Sequence, residues 1–197
     1  MCLLTAGENV TVTGLGSALN PYVISATGAT ETTPPQGRFP YEGGLSVPGP
    51  PGGWYGITLD ATGYVENASF YDSGNLTIPT GAAGWYSVVV NLTWYMDAAF
   101  PGDGSGLVFA KLRLDPVGSD PSYAVASQVI PAYSSGDWTS IGTFNFSWQG
   151  ALAEGDTLSI AAKNEITSAM MIIDSDTSYG GSYVSIHRDS AAYVPIV

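Results

Sequence analysis

The chain has 197 residues, with 5 Lys+Arg against 17 Asp+Glu and a net charge of −12. Its bases (Arg38, Lys111, Arg113, Lys163, Arg188) stand singly along the sequence, so no stretch can release counterions from a phosphate backbone or adhere to an anionic membrane, and neither partner is expected. One Cys and one His exclude an internal disulfide and a multi-His metal centre, and 25 Gly and 13 Pro beside only two Lys and six Glu point to a β protein rich in turns.

The opening MCLLTAGEN has no basic n-region and too short an apolar stretch for a signal peptide, so Sec export is not expected. Uncharged runs at 9–30 and 76–96 reach the length of a membrane span. The first is mostly Thr, Gly, Ser and Asn, and Pro79, Gly81, Gly84 and Asn91 interrupt the second, so no transmembrane helix is expected. The string ENVTVTGLGSALNPYVISA reads as strand, Gly-rich turn, strand, which makes residues 1–30 a hairpin arm. A lone hairpin is marginal in water, so this one is expected to dock on something.

Residues 31–53, ETTPPQGRFPYEGGLSVPGPPGG, carry six Pro and six Gly without alternation and read as an extended linker or an ordered arm laid on a neighbour. From 54 to 197 the pattern changes. Tyr86, Val88, Val90, Leu92, Trp94 and Met96 alternate with polar neighbours, as do Val108, Ala110, Leu112 and Leu114 with Lys111, Arg113 and Asp115. Phe144, Phe146 and Trp148, then Leu158, Ile160 and Ala162, then Val184 and Ile186 repeat the period of two. Five alternating strands, separated by turns such as Pro101-Gly-Asp-Gly104 and Glu154-Gly-Asp156, predict an antiparallel sandwich.

Three strings carry a family resemblance. LTIPTGAAGWYSVVV (76–90) resembles the step into the long core strand of C1q/TNF-like jelly rolls, GALAEGDTLSIAAKN (150–164) is similar to that family's "L..GD" step, and GSYVSIHR (181–188) resembles its closing strand. The resemblance spans about 54–190 and implies an all-β, antiparallel jelly-roll sandwich that assembles as a homotrimer. The N-terminal TAGENVTVTGLGSALNPYVISA is similar to a short module of virion proteins from bacteriophages of actinobacteria. Together the two imply a phage structural protein of the capsid-decoration or minor-tail type.

The inventory of reactive side chains is thin. His187 falls on the outward parity of a strand with no nucleophile motif beside it, and Cys2 reads as a plain free thiol. Asp174 with Asp176, and Asp97 with Asp103, are the best carboxylate pairs, for a glycosidase or a loop calcium site, but Asp in Gly-rich turns commonly bonds its own backbone. Five Asn-x-Ser/Thr sequons, at Asn9, Asn67, Asn75, Asn91 and Asn145, are of the kind that arise by chance in a Ser/Thr-rich chain. Gly14-Leu-Gly16 and Gly102-Asp-Gly104 precede no helical pattern and no lysine, so they are not phosphate loops. No enzyme, cofactor or metal is expected.

The reading that follows is a trimeric decoration (cement) protein on the outside of a phage head. Leu3, Leu4, Val10, Val12, Tyr22, Val23 and Ile24 would anchor it in grooves or on strand edges of the major capsid protein, and three arms would bind with avidity. The alternative is a tail-tip receptor-binding protein that stacks host surface glycans on Trp54, Tyr55, Tyr133 and Trp138. A secreted ligand of the same fold is a further reading, disfavoured by the lack of a leader signal.

Overall fold

The structure, a computed structural model, describes residues 10–13, 23–26, 36–41, 43–59, 64–66, 70–97, 104–118, 122–135, 138–167, 169–174 and 181–190. Every described element is a strand. In chain order they are β1 (Val10–Thr13), β2 (Val23–Ala26), β3 (Gln36–Tyr41), β4 (Leu45–Pro48), β5 (Tyr55–Ile57), β6 (Tyr64–Glu66), β7 (Tyr71–Asp72) and β8 (Asn75–Thr77). They continue with β9 (Gly84–Met96), β10 (Gly104–Asp115), β11 (Tyr123–Ser135), β12 (Trp138–Thr139), β13 (Ile141–Leu152), β14 (Thr157–Asn164), β15 (Met170–Ile173) and β16 (Ser182–Ser190).

Contacts divide the chain into two units, Met1–Thr33 and Pro34–Val197. In the first, β1 and β2 pair antiparallel from Val10↔Ala26 to Thr13↔Val23, the expected hairpin pairing. The second is a sandwich of two antiparallel sheets. One runs β12-β11-β10-β14-β8-β7, with β5 also on β14, and the other runs β4-β15-β9-β16-β3-β6, with β13 on β9.

The second unit corrects the boundary expected from composition. Residues 36–48, assigned above to a linker, form β3 and β4: β3 pairs with β16 from Tyr41↔Ser182 to Gln36↔His187, and β4 pairs with β15. Phe39 and Val47 are completely buried. The described pairing of β6 covers residues 36–38 of β3, which places Pro40 beyond it. Gly49 is a packing requirement, since a Cβ there would stand 1.9 Å from the Ile166 carbonyl oxygen.

The alternating strands bury the faces they predict. All six even positions from Tyr86 to Met96 are at most 1% exposed, and Val108, Ala110, Leu112, Leu158, Ile160, Ala162, Val184 and Ile186 join them in one core between the sheets. β13 departs in part. Phe144 and Leu152 are buried, but Phe146 and Trp148 are half-buried, on a strand that among the described residues pairs with β9 alone.

β9 changes partner halfway along one side, from β16 at residues 85–91 to β15 at 94–96. Ser182 fills the break: its Oγ accepts the Thr93 N–H (2.9 Å) and donates to the Asp174 carbonyl (2.6 Å). Asn164 links the sheets. Its Nδ2 donates to the Ala169 and Val47 carbonyls (2.9 and 3.3 Å) and its Oδ1 accepts the Ile166 N–H (2.9 Å).

The residues behind the family resemblance are structural clamps. Tyr86 lies in the core and its hydroxyl donates to the Ala82 carbonyl, with burial pushing the phenol up to about 12. In the "GD" step, Gly155 takes φ +83° and donates to the Ile78 carbonyl (2.9 Å). Asp156, 6% exposed, accepts the Val117 N–H on Oδ1 (2.9 Å) and the Ala153 N–H on Oδ2 (2.8 Å). Replacing Asp156 by Ala is expected to lower the unfolding free energy by about 2–4 kcal/mol, because two charge-assisted bonds vanish and two half-buried N–H groups lose their acceptor. Urea denaturation measures this; a loss below about 1 kcal/mol would show that the turns stand without it.

Candidate functional site

The even residues of β10 face the core, so Ser105, Leu107, Phe109, Lys111, Arg113 and Asp115 face outward. β14 runs beside them with Phe109↔Lys163, Lys111↔Ala161, Arg113↔Ser159 and Asp115↔Thr157 in register. β5 covers the other side of β14, which brings Trp54, just ahead of it, onto this face. Trp54 meets Phe109 edge to face, with ring centroids 6.2 Å apart and planes at 70°. Lys111 Nζ lies 3.7 Å from the centre of the Trp54 ring, and Lys163 Nζ lies 5.6 Å from that of Phe109 while pairing with Glu165 at 2.6 Å.

Three of the chain's five bases therefore share one sheet face, although they are scattered in sequence. Partial burial lowers the Lys111 ammonium below its ordinary value, and the positive charges of Arg113 and Lys163 lower it further. Arg113 donates from Nη2 to Ser122 Oγ, and among the described residues neither Lys111 nor Arg113 has a carboxylate partner. Between β5, β8, β10 and β14 the surface dips into an open groove of about 350 Å³, lined by Trp54, Asn75, Arg113, Asp115, Thr157 and Ser159 among others.

The predicted recognition residues do not form one group. Trp54 is 43% exposed and walls the groove. Tyr55 corrects the expectation: it is half-buried and packs against the core, because β5 turns its odd positions inward beside β14. Tyr133 is half-exposed opposite Ser105, four residues along β10 from Phe109, about 13 Å at strand rise. Trp138 pairs with Ser135 through its backbone, and its side chain lies outside the described residues. Of the predicted anchors, Leu3, Leu4 and Tyr22 lie outside them as well, while Val10, Val12, Val23 and Ile24 are described by backbone alone, in the paired ribbon.

Phe109, Arg113, Asn75 and Ser159 were not singled out as site residues from the sequence. The available signal was Phe109, an aromatic at the outward parity of an alternating strand. The candidate reactive residues lie away from this face or outside the described residues. His187 is exposed, with Nδ1 3.1 Å from Gln36 Oε1 and Nε2 3.8 Å from Asp189 Oδ1. Asp97 donates its backbone N–H to the Met170 carbonyl (2.8 Å) and Asp174 to that of Thr93 (2.9 Å), whereas Cys2, Asp103 and Asp176 lie outside the described residues.

No family model matches the chain, and no curated protein matches it in sequence. Solved structures do match in shape. Eiger TNF from S. frugiperda superimposes with a TM-score of 0.56 at 12% identity, over 83% of this chain and 98% of that one. Murine APRIL, crystallised at pH 5.0, superimposes with a TM-score of 0.53 at 7% identity, over 79% and 99%. The fold is a TNF-like jelly roll, as the three sequence strings implied.

Proposed function

We propose that the chain is a homotrimeric decoration protein on the outside of a bacteriophage head, anchored to the major capsid protein by its N-terminal unit. The observation that carries this reading is the division of the chain into a two-stranded ribbon of four-residue strands and a jelly roll with its own complete core. So short a ribbon is marginal alone in water and calls for a partner, whereas the jelly roll does not need it to fold. Strand addition to a capsid subunit's edge would satisfy the ribbon's outer backbone groups, and three arms on one trimer would multiply weak contacts. Exposed Trp85, Val129, Tyr133 and Ile141 supply apolar surface suited to contacts between copies. A net charge of −12 suits an exterior position away from packaged DNA.

The second reading, a tail-tip receptor-binding protein, is favoured by one observation, the groove beside Trp54. Gold-labelled full-length protein mixed with purified heads and tails, imaged by electron microscopy, separates the two. Label at regular positions on the head exterior is expected; label on the tail tip alone moves the chain to the second reading, and label on neither overturns both. Native mass spectrometry is expected to show three 20.4 kDa chains per particle.

A further inference from the structure

We infer that the groove between Trp54 and Arg113 is a binding site for an acidic saccharide, a sugar bearing a carboxylate such as a hexuronate or a sialic acid. The inference does not depend on where the chain sits on a virion. A chain with 17 acids and five bases gathers Lys111, Arg113 and Lys163 on one sheet face, although like charges there disfavour one another. Lys163 is neutralised by Glu165, but Lys111 and Arg113 have no carboxylate partner among the described residues. Arg113 uses one described hydrogen bond, to Ser122, of the five its guanidinium can donate. A planar fork with one bond to the described residues, half-buried at the edge of a groove, matches a carboxylate in two-pronged fashion.

The rest of the lining supplies what a sugar ring needs. Trp54 presents a rigid apolar wall for the C–H face of a pyranose, and Phe109 and Lys111 hold the indole in place. Asn75, Thr157, Ser159 and Asp115 provide donors and acceptors for ring hydroxyls. Asp115 also selects among anions: it accepts from sugar hydroxyls but repels the higher charge of a phosphate. At about 350 Å³ the groove lies in the lower part of the range of roughly 300–1,000 Å³ for small-ligand pockets, the size for a terminal sugar and not a long chain.

Calorimetric titration of the full-length protein with trigalacturonate and with sialyllactose, beside cellotriose and lactose as neutral counterparts, tests the site. At least one acidic ligand is expected to bind about tenfold or more tightly than its neutral counterpart, and to weaken as salt rises from about 50 to 300 mM. Which acidic ligand binds tells a polyuronate from a sialylated glycan as the source. Arg113→Gln and Trp54→Ala are each expected to weaken that binding about tenfold, and Arg113→Lys by less, with circular dichroism and head binding unchanged. Equal binding of neutral sugars, equal competition by inorganic phosphate, no binding of either acidic ligand, or full affinity in Arg113→Gln would overturn the inference.

Discussion

A chain shortened to begin at Pro34 is expected to fold and to assemble as the full chain does, and a chain shortened to begin at Trp54 is expected not to fold. The two starts are twenty residues apart and differ by β3 and β4. Losing those strands strips Phe39, Tyr41 and Val47 from the core, uncovers β16 and β15 along the edges they pair with, and removes the Val47 carbonyl that Asn164 binds across the sheets. Truncating one large buried side chain to Ala costs about 2–5 kcal/mol. Three such losses with two broken ladders reach the whole stability of a typical domain, about 5–15 kcal/mol. Far-ultraviolet circular dichroism and thermal melting read the result: a cooperative transition is expected for 34–197 and none for 54–197. A cooperative melt of the shorter fragment would show that β3 and β4 are peripheral. If the N-terminal units anchor a trimer to the head as proposed, the same 34–197 fragment is expected to lose cosedimentation with phage heads by about a hundredfold, because all three anchors go at once. Retained cosedimentation would place the head contact on the jelly roll.

Replacing Trp94 is expected to give the largest effect of any single core substitution, and one that depends on the replacement. The indole is 1% exposed, lies 5.8 Å from the Phe144 ring centre at an angle of 36°, and sits over Gly142, its partner in register on β13. A Cβ at 142 would stand 2.7 Å from the indole Cζ2. Trp94→Ala therefore leaves a deep cavity that the flanking strands cannot close, and about 4–5 kcal/mol is the expected loss. Trp94→Phe should cost far less, about 1–2 kcal/mol, because Nε1 is buried with no hydrogen-bond partner among the described residues and its removal returns part of the packing loss. Gly142→Ala should destabilise the parent by about 1–3 kcal/mol and the Trp94→Phe background by less, since the clashing ring edge is gone. Urea denaturation of the parent and the four variants measures these differences. Equal losses for Trp94→Ala and Trp94→Phe would mean that Nε1 contributes a bond.

Several parts of the fold were legible because alternation is a local signal. In β9, β10, β14 and β16 a period of two places one set of side chains on the core side regardless of which strand lies alongside. β11 escaped that reading: its inner positions include Ala126, Gln128 and Ala132, its outer ones Val129, Pro131 and Tyr133, so neither face is cleanly apolar. β15, Met170-Met-Ile-Ile173, is apolar at every position because it is covered on both sides, Ile172 being 9% exposed on the outer face. Such a run carries no period. β3 and β4 were obscured by their Pro and Gly, which composition associates with linkers. One of them, Gly49 just past β4, is required by the close approach of the Ile166 carbonyl.

The candidate site divides along the same line. Composition by itself determined an acidic, turn-rich β chain, and the alternating runs determined which side chains face a core and that Lys111 and Arg113 face away from it, because facing depends only on strand period. Strand partners were decided by the tertiary structure, because pairing is set by the closure of long loops and the sharing of one core. Only that pairing placed Lys163 beside Phe109 and brought Trp54 over the same sheet, turning bases that stand singly in sequence into one charged, aromatic face.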